Sequence, residues 1–221
     1  MNEQNKTIHQ DTALPTDQAI LSAAEELFLE KGYLLASTTK IAAKAGVTHA
    51  MLHYYFRSKE QIFFKVMDKN VAELREAMHN KMTQEGNFWD TLKDGVEMHF
   101  DFINNHRRIP AMVYDVARQS PELLARYKET GKRMLQSLLF RHKQLLSEEI
   151  AAGRVNNVDF EQLFFDVVQM NVGTFLTLPM WQRILSVDET EIDAFLQRRK
   201  QEIIETLRYR LYGRIDQNRT D

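Results

Sequence analysis

The sequence contains no cysteine. This absence excludes disulfide bonds, thiolate zinc sites, iron–sulfur clusters and a cysteine nucleophile, and it fits a reducing compartment. Glycine and proline are also scarce, with 8 and 4 among 221 residues, or about 5% where an average chain has about 12%. Because sandwiches and barrels need many tight turns, this scarcity favours long helices.

The chain also lacks a long hydrophobic run without polar interruptions. Its most apolar stretch, residues 163–181, contains Asp166 and Asn171, and an acidic side chain at the centre of a bilayer costs about 2.5–3.5 kcal/mol. We therefore interpret this stretch as a buried helix. Residues 1–17 are polar and have no apolar core of the kind that signal peptides carry. We expect a cytoplasmic protein with no membrane partner.

The charge is nearly balanced overall but uneven along the chain. A formal net charge of −2 excludes binding of nucleic acid through overall charge. Residues 31–65, however, hold six basic residues and one acidic residue, a net charge of +5. A local excess of this kind is typical of a surface that meets backbone phosphates, although a solvated face also produces it.

Hydrophobic periodicity and capping residues predict an all-α protein. Residues 1–14 lack periodicity, and we expect a mobile tail there. Four N-cap residues then mark the starts of four helices, the last of which is long: Thr16, Ser37, Thr48 and Ser58. Five further helices are predicted over residues 88–106, 109–119, 121–152, 158–185 and 188–213.

The segment from Ser37 to Tyr55 has the spacing of a helix-turn-helix motif. Ala42 lies where two helices cross closely, and Gly46 provides the turn between them. Ile41, Val47 and Leu52 form a small core that fixes the second helix against the first. That second helix would then stand clear of the domain and enter a major groove about 12 Å wide.

This segment resembles the DNA-binding segment of tetracycline-repressor (TetR)-type transcriptional regulators. The resemblance covers about residues 16–70 and is carried by Gly32-Tyr33, Ser37, Ile41-Ala42, Ala45-Gly46-Val47-Thr48, Leu52-His53-Tyr54-Tyr55-Phe56 and Lys59-Glu60. Three residues depart from the commonest pattern: Ala36 replaces Thr, Ala50 replaces Gly and His53 replaces Tyr. These departures affect the DNA contacts rather than the fold.

The resemblance implies a three-helix DNA-binding domain over residues 15–60 and ten DNA-contacting residues. These residues lie on the helix-turn-helix and at the start of the fourth helix: Thr38, Thr39, Thr48, His49, Ala50, Met51, His53, Tyr54, Tyr55 and Lys59. The threonines and Lys59 are expected to bind phosphate, with Thr48 acting first as a cap. His49, Ala50 and Met51 would face base edges. Core packing remains the alternative for Met51 and Tyr55.

The same resemblance implies that residues 61–221 form a larger helical domain for ligand binding and dimerisation. Its effector is an unidentified small molecule. Seven large apolar or aromatic residues are candidates for the pocket wall: Met98, Phe102, Met112, Tyr127, Met134, Phe164 and Met170. We interpret His99 and Asp101 as a satisfied or exposed pair rather than a ligand clamp.

The homodimer is predicted to form through helices near 158–185 and 188–213. The first is apolar on nearly every side, which indicates that it is the centre of the bundle or that a second chain covers part of it. The second repeats an apolar stripe along one face: Ile192, Phe195, Leu196, Ile203, Leu207 and Leu211. Two such helices from each chain would form a four-helix interface. Pro179 should end or kink the first of them before Trp181.

The predicted function is a ligand-responsive regulator, most simply a repressor released from a near-palindromic double-stranded DNA operator. We expect no enzymatic activity, no cofactor and no metal. The main alternative is a helical-bundle enzyme or metal-binding protein of the ferritin type, but only one Glu-x-x-His occurs, Glu76 to His79, where such a site needs two. An architectural DNA-binding protein without an effector is the other alternative.

Overall fold

The computed structural model describes residues 14–82, 86–186 and 188–217. Over these residues the chain forms nine α-helices and no strand. They are α1 (Thr16–Lys31), α2 (Thr38–Lys44), α3 (His49–Tyr55), α4 (Lys59–Met82), α5 (Phe88–Asn105), α6 (Ile109–Gln119), α7 (Pro121–Ala151), α8 (Phe160–Leu185) and α9 (Glu189–Gln217). The all-α prediction is confirmed. Of the predicted tail, residues 1–13 lie outside the described residues.

The helix starts follow the predicted caps in the helix-turn-helix. The Ser37 side chain accepts a hydrogen bond from the Lys40 backbone N–H, and the Thr48 side chain accepts one from the Met51 N–H. Each bond satisfies one of the N–H groups that the first turn of a helix leaves without a partner. At α1 the prediction was one residue off, because Pro15 occupies the cap position and Thr16 is the first helical residue.

The chain divides into two compact units, and the division falls within α4, between Met67 and Asp68. The first unit therefore extends past the predicted domain boundary at residue 60. Its apolar core explains why, since Ile62, Phe63 and Val66 on the first turns of α4 are buried. Phe63 packs edge-on against Phe28 at a ring separation of 5.8 Å.

The core of the second unit is built mainly from α5, α8 and α9. Its fully buried side chains come from all three helices, as in Phe100, Leu163 and Leu196. Phe100 and Phe175 pack with ring centroids 5.0 Å apart, which joins α5 to α8. The long helices α5 and α8 are therefore fixed side by side along one apolar seam.

Helix α8 continues through Pro179 to Leu185. Of the two outcomes predicted for Pro179, an end or a kink, the end was therefore wrong. The neighbouring Phe175 and Leu178 are buried in the core, and this packing outweighs the backbone hydrogen bond that proline cannot make. The helix ends instead at Ser186, which adopts a left-handed conformation with a φ of 52°.

One described helix, Phe160–Ile184, is long and apolar enough to cross a membrane by length and composition alone. Core helices of water-soluble proteins pass the same test. Leu163, Val167 and Phe175 of this helix are buried in the core of the second unit. Phe165 and Trp181 are exposed, so the helix is buried on one face only.

Candidate functional site

The helix-turn-helix in the first unit has the geometry that its spacing predicts. Gly46 has a φ of +69°, in the left-handed region that glycine adopts without steric cost. The Val47 N–H then donates to the Ala42 carbonyl oxygen at 3.0 Å. Ile41 and Leu52 are completely buried. The turn and this small core together set the direction of α3 relative to α2.

Helix α3 buries one side chain and exposes the others. Leu52 is its buried residue, whereas Tyr54 is 84% exposed and Met51 is 42% exposed. His49, Ala50, His53 and Tyr55 are also exposed. The residues that the sequence assigns to base edges therefore form one accessible surface. Burial of Met51 or Tyr54 would have contradicted the proposed recognition helix.

Two contacts between side chains order the start of this surface. The Thr38 hydroxyl lies 3.1 Å from Nε2 of His49, so the first residue of α2 positions the first residue of α3. The His49 and His53 rings pack edge-to-face with centroids 4.4 Å apart. Thr39 and Thr48 are exposed beside them, and the Thr48 hydroxyl oxygen serves as the cap of α3.

Lys59 differs from the other predicted contacts because its ammonium group already binds protein atoms. It donates to the Tyr33 carbonyl oxygen at 2.8 Å and lies 4.2 Å from the centre of the Tyr33 ring. A second carbonyl oxygen, that of Leu34, lies at 3.5 Å. Burial lowers the pKa of Lys59. An ammonium group has three N–H donors, so one remains for a phosphate.

Tyr33 anchors this corner of the first unit, a role that the sequence did not reveal. Its ring packs against Phe28 and Phe63 at centroid distances of 5.6 and 5.1 Å, and its carbonyl oxygen accepts from Lys59. The Gly32-Tyr33 pair was part of the recognised motif, but the position of a tyrosine after a glycine does not reveal what its ring contacts.

The net charge of the basic segment overstates the charge available to DNA. Lys44 lies 2.6 Å from Glu26 of α1, just outside the counted residues. The hydrogen bond to Glu26 raises the pKa of Lys44. The positive character of the surface therefore depends more on Lys40 and Arg57, which are exposed.

The second unit contains an apolar cavity of about 210 Å³. Four helices, α4, α5, α7 and α8, supply its wall: Leu74, Met78, Phe88, Leu92, Gly95, Val96, Met98, His99, Leu139, His142, Phe160, Leu163, Phe164, Val167 and Val168. Among these residues only two histidines have polar side chains. A cavity with such a wall favours a mainly hydrophobic ligand.

The structure brings two of the seven predicted pocket residues, Met98 and Phe164, to the cavity wall. Phe102 and Met170 pack against the core, and Met112 is buried.

The hydroxyl of Tyr127, another of the seven, donates to Asp68 at 3.1 Å. Burial, together with the charge of Asp68, raises the pKa of the Tyr127 hydroxyl well above its ordinary value. The side chain of Met134 lies outside the described residues.

His99 does not pair with Asp101, contrary to the sequence-based interpretation. Residues two apart on a helix point to different sides. Asp101 pairs with Lys200 of α9 at 2.8 Å, whereas His99 lies at the cavity wall with Nδ1 3.1 Å from the Asn171 side-chain amide. Burial lowers the pKa of His99 to about 4, so the ring is neutral at physiological pH.

Comparison with known proteins identifies the first unit. Residues 20–66 match the family described as "Bacterial regulatory proteins, tetR family". This segment of the chain is a tetR-type DNA-binding domain. Within the described residues, no group of three or more His, Cys, Asp or Glu side chains is placed to hold a metal ion.

Among curated relatives, the fatty acid metabolism regulator protein of Bacillus subtilis (strain 168) is 25% identical over 167 residues, covering 73% of this chain and 84% of the relative. The transcriptional activator FasR of Mycolicibacterium smegmatis is 29% identical over 105 residues, covering 46% of this chain. The match spans about half of that activator's length, 48%.

A solved structure shows the same fold over most of the chain. It is the transcriptional regulator FadR from Bacillus subtilis in complex with stearoyl-CoA. The TM-score is 0.61 at 23% identity, covering 86% of this chain and 96% of that one. At this identity the likeness establishes the fold, including a helical second unit after the DNA-binding domain.

Proposed function

We propose that this tetR-family protein is a cytoplasmic, homodimeric transcriptional repressor that an apolar small molecule releases from its operator. The exposed face of α3 is the observation that carries the proposal, because His49, Ala50 and Met51 at its start are accessible while Leu52 holds the helix in place. The chain acts by binding rather than by catalysis.

Two copies of α3 would enter successive major grooves of one duplex. Dimeric helix-turn-helix proteins bind half-sites about 34–36 Å apart, so the operator is expected to be near-palindromic. His49 is placed to read a base edge, since its Nε2 is held by Thr38. Met51 offers an apolar surface for a thymine methyl group. Thr39 and the third N–H of Lys59 would bind phosphates.

The proposed dimer surface lies on α8 and α9, but on a different face from the predicted one. Five residues of the α9 stripe are buried in their own protomer: Ile192, Leu196, Ile203, Leu207 and Leu211. Six large hydrophobic side chains of the described parts of α8 and α9 remain exposed: Phe165, Met180, Trp181, Ile184, Phe195 and Tyr209. Trp181 and Phe195 line one groove between the two helices, and a second copy of the chain would cover it.

The effector proposed for the cavity is a fatty acyl compound. The wall is almost entirely aliphatic and aromatic, which suits a hydrocarbon chain. The relative named as a fatty acid metabolism regulator, and the FadR structure with stearoyl-CoA, support this ligand class.

Helix α4 is the proposed link between ligand and DNA. Leu74 and Met78, in its second half, form part of the cavity wall, while Lys59 and Phe63, in its first half, belong to the first unit. A ligand that shifts the second half of this helix would change the placement of the first unit. Typical coupling free energies are about 1–3 kcal/mol, a factor of about 5–150 in DNA affinity.

The experiment selects bound duplexes from a random DNA pool and then measures affinity for the best sequence with palmitoyl-CoA or free CoA. We expect palmitoyl-CoA to weaken binding about 5–150-fold and free CoA to have no effect. Gly95→Leu tests the site, because Gly95 lines the cavity and a Cβ atom added there meets no atom within 4 Å. The larger leucine side chain is designed to fill part of the cavity.

The Gly95→Leu variant should bind the operator normally and lose the response, while Gly95→Ala retains it. Failure to select any preferred sequence would refute the proposal that this protein is a sequence-specific transcriptional regulator. An equal response in the Leu variant would refute the cavity as the effector site.

A further inference from the structure

His99 of the cavity wall is hydrogen-bonded to Asn171, which lies beside the wall. Binding of a purely apolar ligand would not involve this pair. The Asn171 side-chain NH₂ group lies 3.1 Å from the Val96 carbonyl oxygen and 3.1 Å from Nδ1 of His99. Asn171 is completely buried, so these contacts are shielded from water. The two residues thus join α8 to α5 beside the cavity.

The orientation of the Asn171 amide follows from its neighbours. A carbonyl oxygen only accepts hydrogen bonds, so the group facing Val96 must be the NH₂. The second N–H of that group points at Nδ1 of His99. Asn171 Oδ1 faces the other way and, among the described residues, has no hydrogen-bond partner. If the amide were flipped, Asn171 Oδ1 would face the Val96 carbonyl oxygen, and two hydrogen-bond acceptors would oppose each other.

The protonation of His99 follows in turn. Because Nδ1 accepts a hydrogen bond from Asn171, the proton of the neutral ring sits on Nε2. Burial lowers the pKa of this histidine to about 4, so the ring is uncharged near neutral pH. His99 therefore offers one N–H donor and no charge within an apolar wall.

We infer that His99 is a specificity-determining residue which donates from Nε2 to an uncharged carbonyl oxygen of the effector, so that esters and thioesters bind and free carboxylates do not. This rests on the proposed effector site. A carboxylate would need a cation or several donors to replace its lost water, and no Lys or Arg is among the described residues of the wall. Asn171 is the positioning residue that fixes the donor.

The experiment compares three probes of equal chain length with the purified full chain at pH 8: methyl decanoate, decanoate and an alkane. It uses His99→Leu, which removes the donor, and His99→Gln, which restores an amide donor. His79→Leu is the matched control, because His79 is an exposed histidine outside the cavity wall. Binding is measured by calorimetry or by displacement of a bound fluorescent fatty acid ester.

We expect His99→Leu to weaken ester binding about fivefold, the worth of one hydrogen bond, and to leave alkane binding unchanged. His99→Gln should recover most of the loss, and His79→Leu should show none. An equal loss for ester and alkane would show that His99 only fills space, and the inference would fail. An equal loss of ester binding in His79→Leu, or tighter binding of decanoate than of the ester, would also overturn it.

A measurement on the wild-type protein covers the case in which a variant does not fold. In methyl decanoate labelled with ¹³C at the carbonyl, the infrared C=O stretch should move to lower frequency on binding, and ¹⁵N spectra should show the His99 proton on Nε2. An unshifted stretch would overturn the inference even though the ester binds. Binding of none of the three probes would overturn the effector site itself, and the inference with it.

Discussion

The ammonium group of Lys59 lies 4.2 Å from the centre of the Tyr33 ring and donates a hydrogen bond to the Tyr33 carbonyl oxygen at 2.8 Å. Lys59 thus ties the start of α4 to the segment that follows α1. With two N–H groups directed at protein carbonyls, the third is available to DNA. The residue is therefore expected to contribute both to stability and to phosphate binding.

Replacing Lys59 with Met keeps the hydrocarbon stem over the ring and removes the charge. We expect this change to lower the free energy of unfolding by about 1 kcal/mol, to weaken binding to all sequences alike and to reduce the salt slope of the affinity by about one. The salt slope is measured by titration between low and physiological salt. Lys93→Met, which removes a charge paired with Glu97 on α5, is the control and should leave the slope unchanged. A lower stability with an unchanged slope would show that Lys59 serves the fold alone.

The contact between Thr38 and His49 predicts that two residues on different helices act together in base selection. His49→Ala should reduce affinity for the preferred duplex by about 1–3 kcal/mol and change the selected base at one position of each half-site. Thr38→Val, which releases the histidine ring, should change the same position to a smaller degree. The measurement is binding to a panel of single-base variants, with the double variant included. Additive effects of the two substitutions would show that Thr38 and His49 act independently. An equal loss of affinity on every sequence would show that His49 contacts only the DNA backbone.

Gly46 is predicted to be replaceable only by residues that tolerate a left-handed backbone. A side chain there meets no atom within 4 Å, so the cost of Gly46→Ala comes from the φ of +69°, about 1–2 kcal/mol. Gly46→Asn should cost less, because asparagine visits this region more readily. Chemical denaturation of the two variants measures the difference. Equal losses of stability in the two variants would indicate that steric contacts, rather than the backbone conformation, restrict the residue at this position.

Local signals were enough to predict the helices of this chain. Ser37 and Thr48 marked the starts of α2 and α3, and the observed caps are those residues. Local chemistry decides a cap, which is why sequence alone reveals it. Pro179 shows the limit, since its helix is held by tertiary contacts that the local rule does not include.

The cavity could be predicted only in part. Met98 and Phe164 were expected to line a pocket, but Phe102, one helical turn from Met98, packs against the core instead. Periodicity shows which residues share a face of one helix, whereas this wall combines faces of four helices. The position of His99 depends on Asn171, which lies 72 residues away in the sequence. No local pattern encodes such a pair.

The lowered pKa of His99 predicts that the second unit loses stability in acid. An unfolded histidine titrates near 6.5 and the folded one near 4, so between these pH values the unfolded chain binds more protons and stability falls as the pH falls. The full effect is at most about 3 kcal/mol. Denaturation of the wild type and of His99→Gln at pH 7.5 and 4.5 measures it. The variant should lose less stability than the wild type over this range, and an equal loss would assign the acid sensitivity to other groups.

The exposed apolar residues on α8 and α9 predict where the dimer can be broken. Trp181 is 46% exposed and Phe195 is 41% exposed, and both line the same groove. Placing a carboxylate in a buried apolar interface leaves a charge without water or a partner, so Trp181→Glu should yield monomers at micromolar concentration. A monomer presents one α3, so affinity for the two-half-site operator should fall sharply while the helical content is unchanged. Tyr114→Glu, at another exposed aromatic residue, is the control for added charge and should remain dimeric. Sedimentation and operator binding together decide the matter: a Trp181→Glu protein that is still dimeric would place the interface on another face of the second unit.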